Sequence, residues 1–204
     1  MFELIKHEIS LRIAKNQKFC KISLGFPLND SFPAMFTPYP AVDRLGIYSL
    51  CKASYLDLKG NNDCSILRVD NLKTAEDDLY YDLLLDKDRI GEDLCRRRAI
   101  TRRKVYLYDG GVDAYICYHD GAPVGTCELY LHNDVAKIED FTVLPREQRK
   151  GYGTSILKHL INTAREKKVQ TIYLVTDEDD TAKDMYRKFG FKKTDESTEM
   201  LFIL

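Results

Sequence analysis

The chain has 204 residues, 44% of them hydrophobic and 31% charged, enough for one full domain with an appendage and unlike a disordered or membrane-embedded polypeptide. Basic and acidic residues nearly cancel, 31 against 32 for a formal charge of −1, so no bulk field draws in nucleic acid or anionic lipid, and neither is expected as a partner. No unbroken apolar stretch exceeds Ala114 to Tyr118, and the N-terminus MFELIKHEIS mixes charges where a secretory signal is apolar. A cytoplasmic protein without a membrane partner is therefore expected. Cys20, Cys51, Cys64, Cys95, Cys117 and Cys127 form no CxxC pair and no cluster with histidine, which predicts neither a disulfide framework nor a metal site.

In chain order, Ile9, Leu11 and Ile13, then Cys20, Ile22, Leu24 and Phe26, alternate with polar neighbours and predict two strands joined near Asn16. The segment FPLNDSFPAMFTPYP holds four of the six prolines and predicts an extended loop. Residues 41–59 fit a helix or short strands equally well. The cluster Gly60, Asn61, Asn62, Asp63 marks a turn and divides an N-terminal extension, 1–64, from a domain over 65–204. Ser65 to Val69 reads as a strand. Thr74, followed by Glu76, Asp77 and Asp78, starts a helix with Leu79, Leu83 and Leu84 as its apolar face, and a second helix to about Ile100 ends in Arg96, Arg97, Arg98, Arg102, Arg103 and Lys104. Three strands follow, at 113–119, 124–132 and 135–144, separated by Asp120-Gly121 and Asn133-Asp134, as an antiparallel meander. A helix over about 151–168, a strand at 171–176, a short helix capped by Asp180 and closed by Gly190, and a last strand within 199–204 complete the chain. Strands first and a strand–helix–strand unit afterwards predict a mixed-sheet α/β or α+β layer fold.

The string VLPREQRKGYGTSILKHL sets Gln148, Arg149, Lys150, Gly151, Tyr152 and Gly153 between a strand and a long helix. Glycine there permits close backbone approach, and the helix's first-turn amides point outward, so an anion such as a pyrophosphate fits the junction. The spacing is neither that of a Walker loop nor of a dinucleotide fingerprint. A plain strand-to-helix turn would use the same glycines.

About thirty residues on comes TAKDMYRKFGFKK. Together, Val143-Leu144-Pro145, the QRKGYG loop, and Ala182, Tyr186, Gly190 and Phe191 resemble the signature of the GNAT superfamily of acetyl-CoA-dependent N-acetyltransferases. The likeness covers about residues 65 to 204. It implies a mostly antiparallel sheet with helices on both faces and a splayed parallel strand pair that admits the pantetheine arm. The backbone of Phe141, Thr142 and Val143 would pair with that arm, and Gln148 with Arg149 to Thr154 would hold the pyrophosphate. Asp179 stands where many family members carry an asparagine that contacts the cofactor.

Acyl transfer to an amine needs a neutral nucleophile, a stabilised carbonyl oxygen and a protonated leaving thiolate. A backbone N–H near Phe141 to Val143 would serve the oxygen. Tyr186, at the family's general-acid position, can protonate the thiolate, its phenol titrating near 10 against roughly 8.5 for a thiol; otherwise it is an aromatic core residue. Glu139 is the candidate base or amine-binding group, since IEDFTVL is similar to the LEDFFV strand of spermidine/spermine acetyltransferases. On a regular strand, Glu139 and Asp140 point to opposite faces. With Asp140 and the acidic residues from Glu76 to Asp93, Glu139 favours a small cationic primary amine, although acidic helix faces are commonly just solvated. The competing readings are an acyl-CoA-binding module without turnover and a protein lysine or N-terminal acetyltransferase. Residues 1–64 would complete a homodimer interface or cover the acceptor cleft. The basic run ending at Lys104, with Tyr106 and Tyr108, suits a helix C-terminus better than RNA.

Overall fold

In the computed structural model, which describes residues 1–51 and 53–204, the backbone divides into two compact units, residues 50–174 and residues 1–49 with 175–204. The first is built on the predicted meander. β3 (Cys64–Arg68), β4 (Val112–His119), β5 (Ala122–His132) and β6 (Val135–Val143) pair antiparallel in succession, and β7 (Thr171–Asp177) starts parallel to β6. Asp120, Gly121 and Asn133 take positive φ at the hairpin turns, the conformation such tight turns require.

Period-two alternation assigns the faces of this sheet. Tyr115, Cys127, Leu129 and Ile138 share one face, which α4 (Tyr152–Glu166) covers with a buried stripe of Tyr152, Ile156, Leu157, Leu160, Ile161 and Ala164. Burying each of the larger aliphatic side chains stabilises the unit by about 1.5–3 kcal/mol. Ala114, Ile116, Thr126, Glu128, Lys137 and Glu139 share the other face, against α2 (Leu72–Ile90) and α3 (Glu92–Lys104).

α2 starts earlier than expected. Asn71 is its cap, accepting the Thr74 N–H at 3.1 Å while the Thr74 hydroxyl accepts the Asn71 N–H at 3.3 Å, a reciprocal capping box. Its inner face is also not the expected one. The buried side chains are Thr74, Ala75, Asp78, Tyr81, Asp82 and Asp86, whereas Leu79 and Leu83 are half-buried and Leu84 is exposed. The reason lies in α3, which presents the small Cys95 and Ala99 beside Arg98 and Arg102, one turn apart, so that carboxylates at helical spacing find guanidinium partners. A single residue, Gly91 at φ 86°, joins the two helices. α3 runs to Lys104, past the expected end, and continues into a π-type turn over Val105–Asp109 that stops at left-handed Gly110.

The second unit holds α1 (Phe2–Ala14), β1 (Phe19–Leu24), β2 (Ala41–Leu50), α5 (Ala182–Phe189) and β8 (Phe191–Ile203). The first predicted strand is a helix here. Phe2, Ile5 and Ile9 recur at spacings of three and four and pack with Cys20, Phe36, Met200 and Phe202, while Leu11 and Ile13 face solvent; the alternation over residues 9–13 is incidental. Asn16, at φ 54°, turns the chain into β1, which pairs antiparallel with β8. β8 begins directly after left-handed Gly190 and is longer than expected, because its first half is charged and carries no apolar pattern. Among the described residues, no helix is long and apolar enough to cross a membrane.

Candidate active site

The β6–β7 ladder runs Val135↔Thr171, Ala136↔Ile172, Lys137↔Tyr173 and Ile138↔Leu174 and stops there, five residues short of the end of β6. The opposite edge of β6 is irregular at the same level. Thr126 pairs with Thr142 but Glu128 pairs with Glu139, so β6 carries one extra residue, and Asp140 takes φ 47°. A bulge of this kind bends a strand away from its neighbour. An edge where a ladder ends can add an extended, amide-bearing ligand as a further strand.

The bulge also overturns the expectation that Glu139 and Asp140 diverge. Glu139 lies opposite Glu128 on the α2–α3 face, and Asp140 reaches the same side, ion-paired with Arg102 of α3. Glu139 is itself ion-paired with Lys137 and is 40% exposed. Beyond the bulge, the Thr142 hydroxyl lies 3.0 Å from the Tyr81 hydroxyl and 3.2 Å from that of Thr126. Burial pushes the Tyr81 phenol up to about 12, so it stays protonated and tethers α2 to this stretch of β6.

β6 continues through a 3-10 turn, Pro145–Glu147, into the glycine loop. Gln148 Nε2 donates to the Val143 carbonyl at 3.3 Å, and Lys150 Nζ pairs with Glu147 at 2.9 Å. Arg149 and Gly151 are left-handed, at φ 65° and 87°, and such interrupted backbone turns successive N–H groups toward one point, a nest for anions. No side chain caps α4, so the amides of Tyr152, Gly153 and Thr154 lack a partner from their own helix and add its dipole.

A strap holds this loop from outside. The Asn61 N–H donates to Ser155 Oγ at 2.9 Å and to the Gly151 carbonyl at 3.3 Å, and Asn61 Nδ2 donates to the Lys150 carbonyl at 3.0 Å. Ser155 Oγ returns a bond to the Asn61 carbonyl at 3.0 Å. The strap occupies carbonyls and leaves the loop's amides pointing elsewhere.

Behind β5 and β6 lies a buried charge network. Arg98 holds Asp82 and reaches Asp86 at 2.6 Å; Arg102 is ion-paired with Asp140 and lies 3.4 Å from Asp82 and 3.9 Å from Glu128; Tyr106 donates to Glu128. Burial alone would raise Asp86, but hydrogen bonds from Arg98 and Arg89 outweigh it and hold the group low. Burial, then the fields of Asp78 and Glu128, push the Tyr106 phenol far up.

In the other unit, Tyr186 is buried on α5 and meets Phe191 edge-on at 6.2 Å. Burial, and secondarily Asp180, raise its phenol well above its ordinary value, so it stays protonated near neutrality. Asp179 is exposed, its N–H held by Asp177 Oδ1 at 2.8 Å.

Residues 77–191 match the family model of the acetyltransferase (GNAT) family. The chain belongs to the GNAT family. It is 30% identical over 143 residues to CgeE, an uncharacterized N-acetyltransferase of Bacillus subtilis, an alignment that takes in 67% of this chain and 54% of CgeE. The chain thus spans about half the length of that curated relative. Among solved structures, a conserved protein of unknown function from Staphylococcus epidermidis superposes with a TM-score of 0.80 at 19% identity, covering 98% of this chain and 78% of that one. The PaiA N-acetyltransferase of Thermoplasma acidophilum, solved with coenzyme A, superposes with a TM-score of 0.54 at 14% identity, covering 68% of this chain and 99% of that one. These structural likenesses show the fold.

The glycine loop of this GNAT chain requires glycine at position 151 on steric grounds. A Cβ at Gly151 would come within 2.9 Å of the Asn61 nitrogen and 3.1 Å of the Gly60 carbonyl carbon, and its φ is one that L residues rarely adopt. Gly151→Ala is therefore expected to raise the KM for acetyl-CoA about tenfold, a strain of about 1–2 kcal/mol, with kcat changed far less; kinetics at saturating amine check it. Sequence reasoning missed Asn61, Arg102, Tyr106 and Glu128 as parts of this region. Their only sequence signals are a turn asparagine and a basic run, and each contact spans 20 or more residues.

Proposed function

We propose that the chain acts as an N-acetyltransferase, moving acetyl from acetyl-CoA to the primary amine of a small cationic acceptor by direct attack in a ternary complex, in the cytoplasm. The observation that carries this reading is the anion nest of Arg149 to Thr154, which follows β6, a strand whose parallel ladder stops short. When bound, acetyl-CoA supplies a thioester carbonyl as acyl donor. Arg149, Lys150 and the amides of Gly151 to Thr154 bind its phosphate charge, Gln148 fixes the loop to β6, and Asp179 is a further contact. The backbone of Phe141, Thr142 and Val143 orients the pantetheine arm as an added strand and offers an N–H toward developing negative charge.

Glu139, paired with Lys137 and partly exposed, binds and positions the amine, and water completes the proton's path. Asp140, held by Arg102, adds negative potential beside it. Tyr186 donates a proton to the departing thiolate. The test is coenzyme A release together with mass-spectrometric product identification, using alkylamines, diamines, amino sugars and lysine peptides. Turnover on small amines supports the reading. Turnover confined to peptides replaces the acceptor class, and tight acetyl-CoA binding without turnover on any of them overturns catalysis in favour of a binding module.

A further inference from the structure

The buried stripe of α2 raises a charge imbalance. Asp78, Asp82, Asp86, Glu128 and Asp140 gather behind β5 and β6, and the cations that touch them are Arg98, Arg102 and, from the exposed rim, Arg89. Four of these carboxylates are engaged. Asp78 is not: it is 6% exposed, yet among the described residues no hydrogen bond or ion pair reaches it. An unpartnered buried carboxylate is costly and calls for a counter-charge or a proton.

Its surroundings point to what completes it. Asp82 on its own helix, Arg102 on α3, Tyr106 on the π-type turn, Tyr118 on β4, Glu128 on β5 and Asp140 on β6 act on Asp78 or feel its field. Only Arg102 among them is cationic, and it is committed to Asp82, Glu128 and Asp140. The only side-chain atom both sealed from solvent and unpaired among the described residues is His159 Nε2, so the Asp78 oxygens retain a path to solvent. Among the described residues no three histidine, cysteine or acidic side chains are disposed to hold a metal ion. A monovalent, hydrogen-bonding cation suits a single open carboxylate within this negative field.

We infer that Asp78 is a recognition site for an alkylammonium group of the acceptor, seated between α2 and the β5–β6 bulge. This deepens the proposed function and rests on it for the word acceptor. Burial first, and the neighbouring carboxylates against the pull of Arg102, bring the free Asp78 carboxyl up to about 7, so it exchanges a proton for the ligand's charge in the physiological range. Affinity for the ammonium is accordingly highest above pH 7 and falls about tenfold per pH unit below it.

The deciding experiment is carboxyl-carbon NMR of aspartate-labelled full-length protein saturated with coenzyme A, with Asp78→Asn identifying the resonance. Adding 20 mM 1,4-diaminobutane is expected to lower the Asp78 midpoint by at least one pH unit, and butylamine by a similar amount. An unchanged midpoint, an equal shift with sodium chloride at matched ionic strength, or a shift with magnesium but not amine overturns the inference. For whichever amine is turned over, Asp78→Asn is expected to raise the amine KM at least tenfold and abolish its pH dependence, with a far smaller effect on the KM for acetyl-CoA. Equal amine KM values overturn it too. The NMR result stands whether or not any amine is acetylated, so failure of this site and failure of the proposed activity are separable. Folding supplies a control: the raised carboxyl costs the folded state stability as pH climbs from 3.8 toward 7, so the variant melts higher than wild type at pH 8, and the difference shrinks as pH falls and vanishes well below 3.8.

Discussion

Replacing Tyr186 by phenylalanine is expected to lower kcat by about 10²–10⁴-fold, the range typical of a lost general acid, while the KM for acetyl-CoA changes less than threefold. The substitution removes one hydroxyl and keeps the ring that meets Phe191, so packing of α5 and its junction with β8 is preserved. What is lost is a proton held firmly by a buried phenol. A high phenol value makes a weaker acid, but under the proposed role a thiolate formed beside it would suffer the same desolvation, so the two would shift together. Rapid-quench measurement of acetyl transfer separates this from slow product release. Unchanged kcat, or a KM for acetyl-CoA that rises in step with the loss, would show that Tyr186 serves packing or cofactor binding instead.

The second large effect is on the charge network. Arg102→Met keeps most of the stem's volume and removes the guanidinium shared by Asp140, Asp82 and Glu128. Breaking a buried ion pair by deleting one partner costs about 3–5 kcal/mol, because the remaining charges stay in low dielectric without compensation. Here three carboxylates lose one partner, so the unit over residues 50–174 is expected to lose at least about 3 kcal/mol, seen as a lower denaturant midpoint. Arg102→Lys restores the charge but not the fork that spans several carboxylates, and is expected to recover less than half. A midpoint unchanged in Arg102→Met would mean that water already screens the network. The same variant frees Asp140 at the bulge, so its kcat should fall even under conditions where it is fully folded.

Much of this is legible in the amino-acid sequence. The meander is plain in the order of residues 113–144, where three strand-length runs are separated by two turn dipeptides holding residues at the positive φ that tight reversals need. The stripe from Tyr152 to Ala164 and the QRKGYG junction were equally plain, since a helix packed on a sheet shows its period and an anion nest needs glycine at fixed positions. Where local pattern and packing disagreed, packing won. α1 read as a strand because five residues alternate, yet Phe2, Ile5 and Ile9 decide its conformation by reaching a core assembled from residues near both ends of the chain. The acidic run on α2 read as a solvated face with leucines inside; burial went to Asp78, Asp82 and Asp86 because α3 brings arginines that a one-dimensional reading cannot place opposite them.

The amino-acid order by itself therefore determined the family, the mixed fold and the loop suited to a pyrophosphate, all of which depend on spacings within about fifty residues. The tertiary structure alone decided that Asn61 clasps that loop, that a bulge turns Glu139 and Asp140 to one side, and that a carboxylate on α2 is buried without a partner. Those facts are sums of fields and contacts from elements distant in sequence. The energy of a charge in a protein is fixed by what surrounds it in space rather than by what precedes it in the chain.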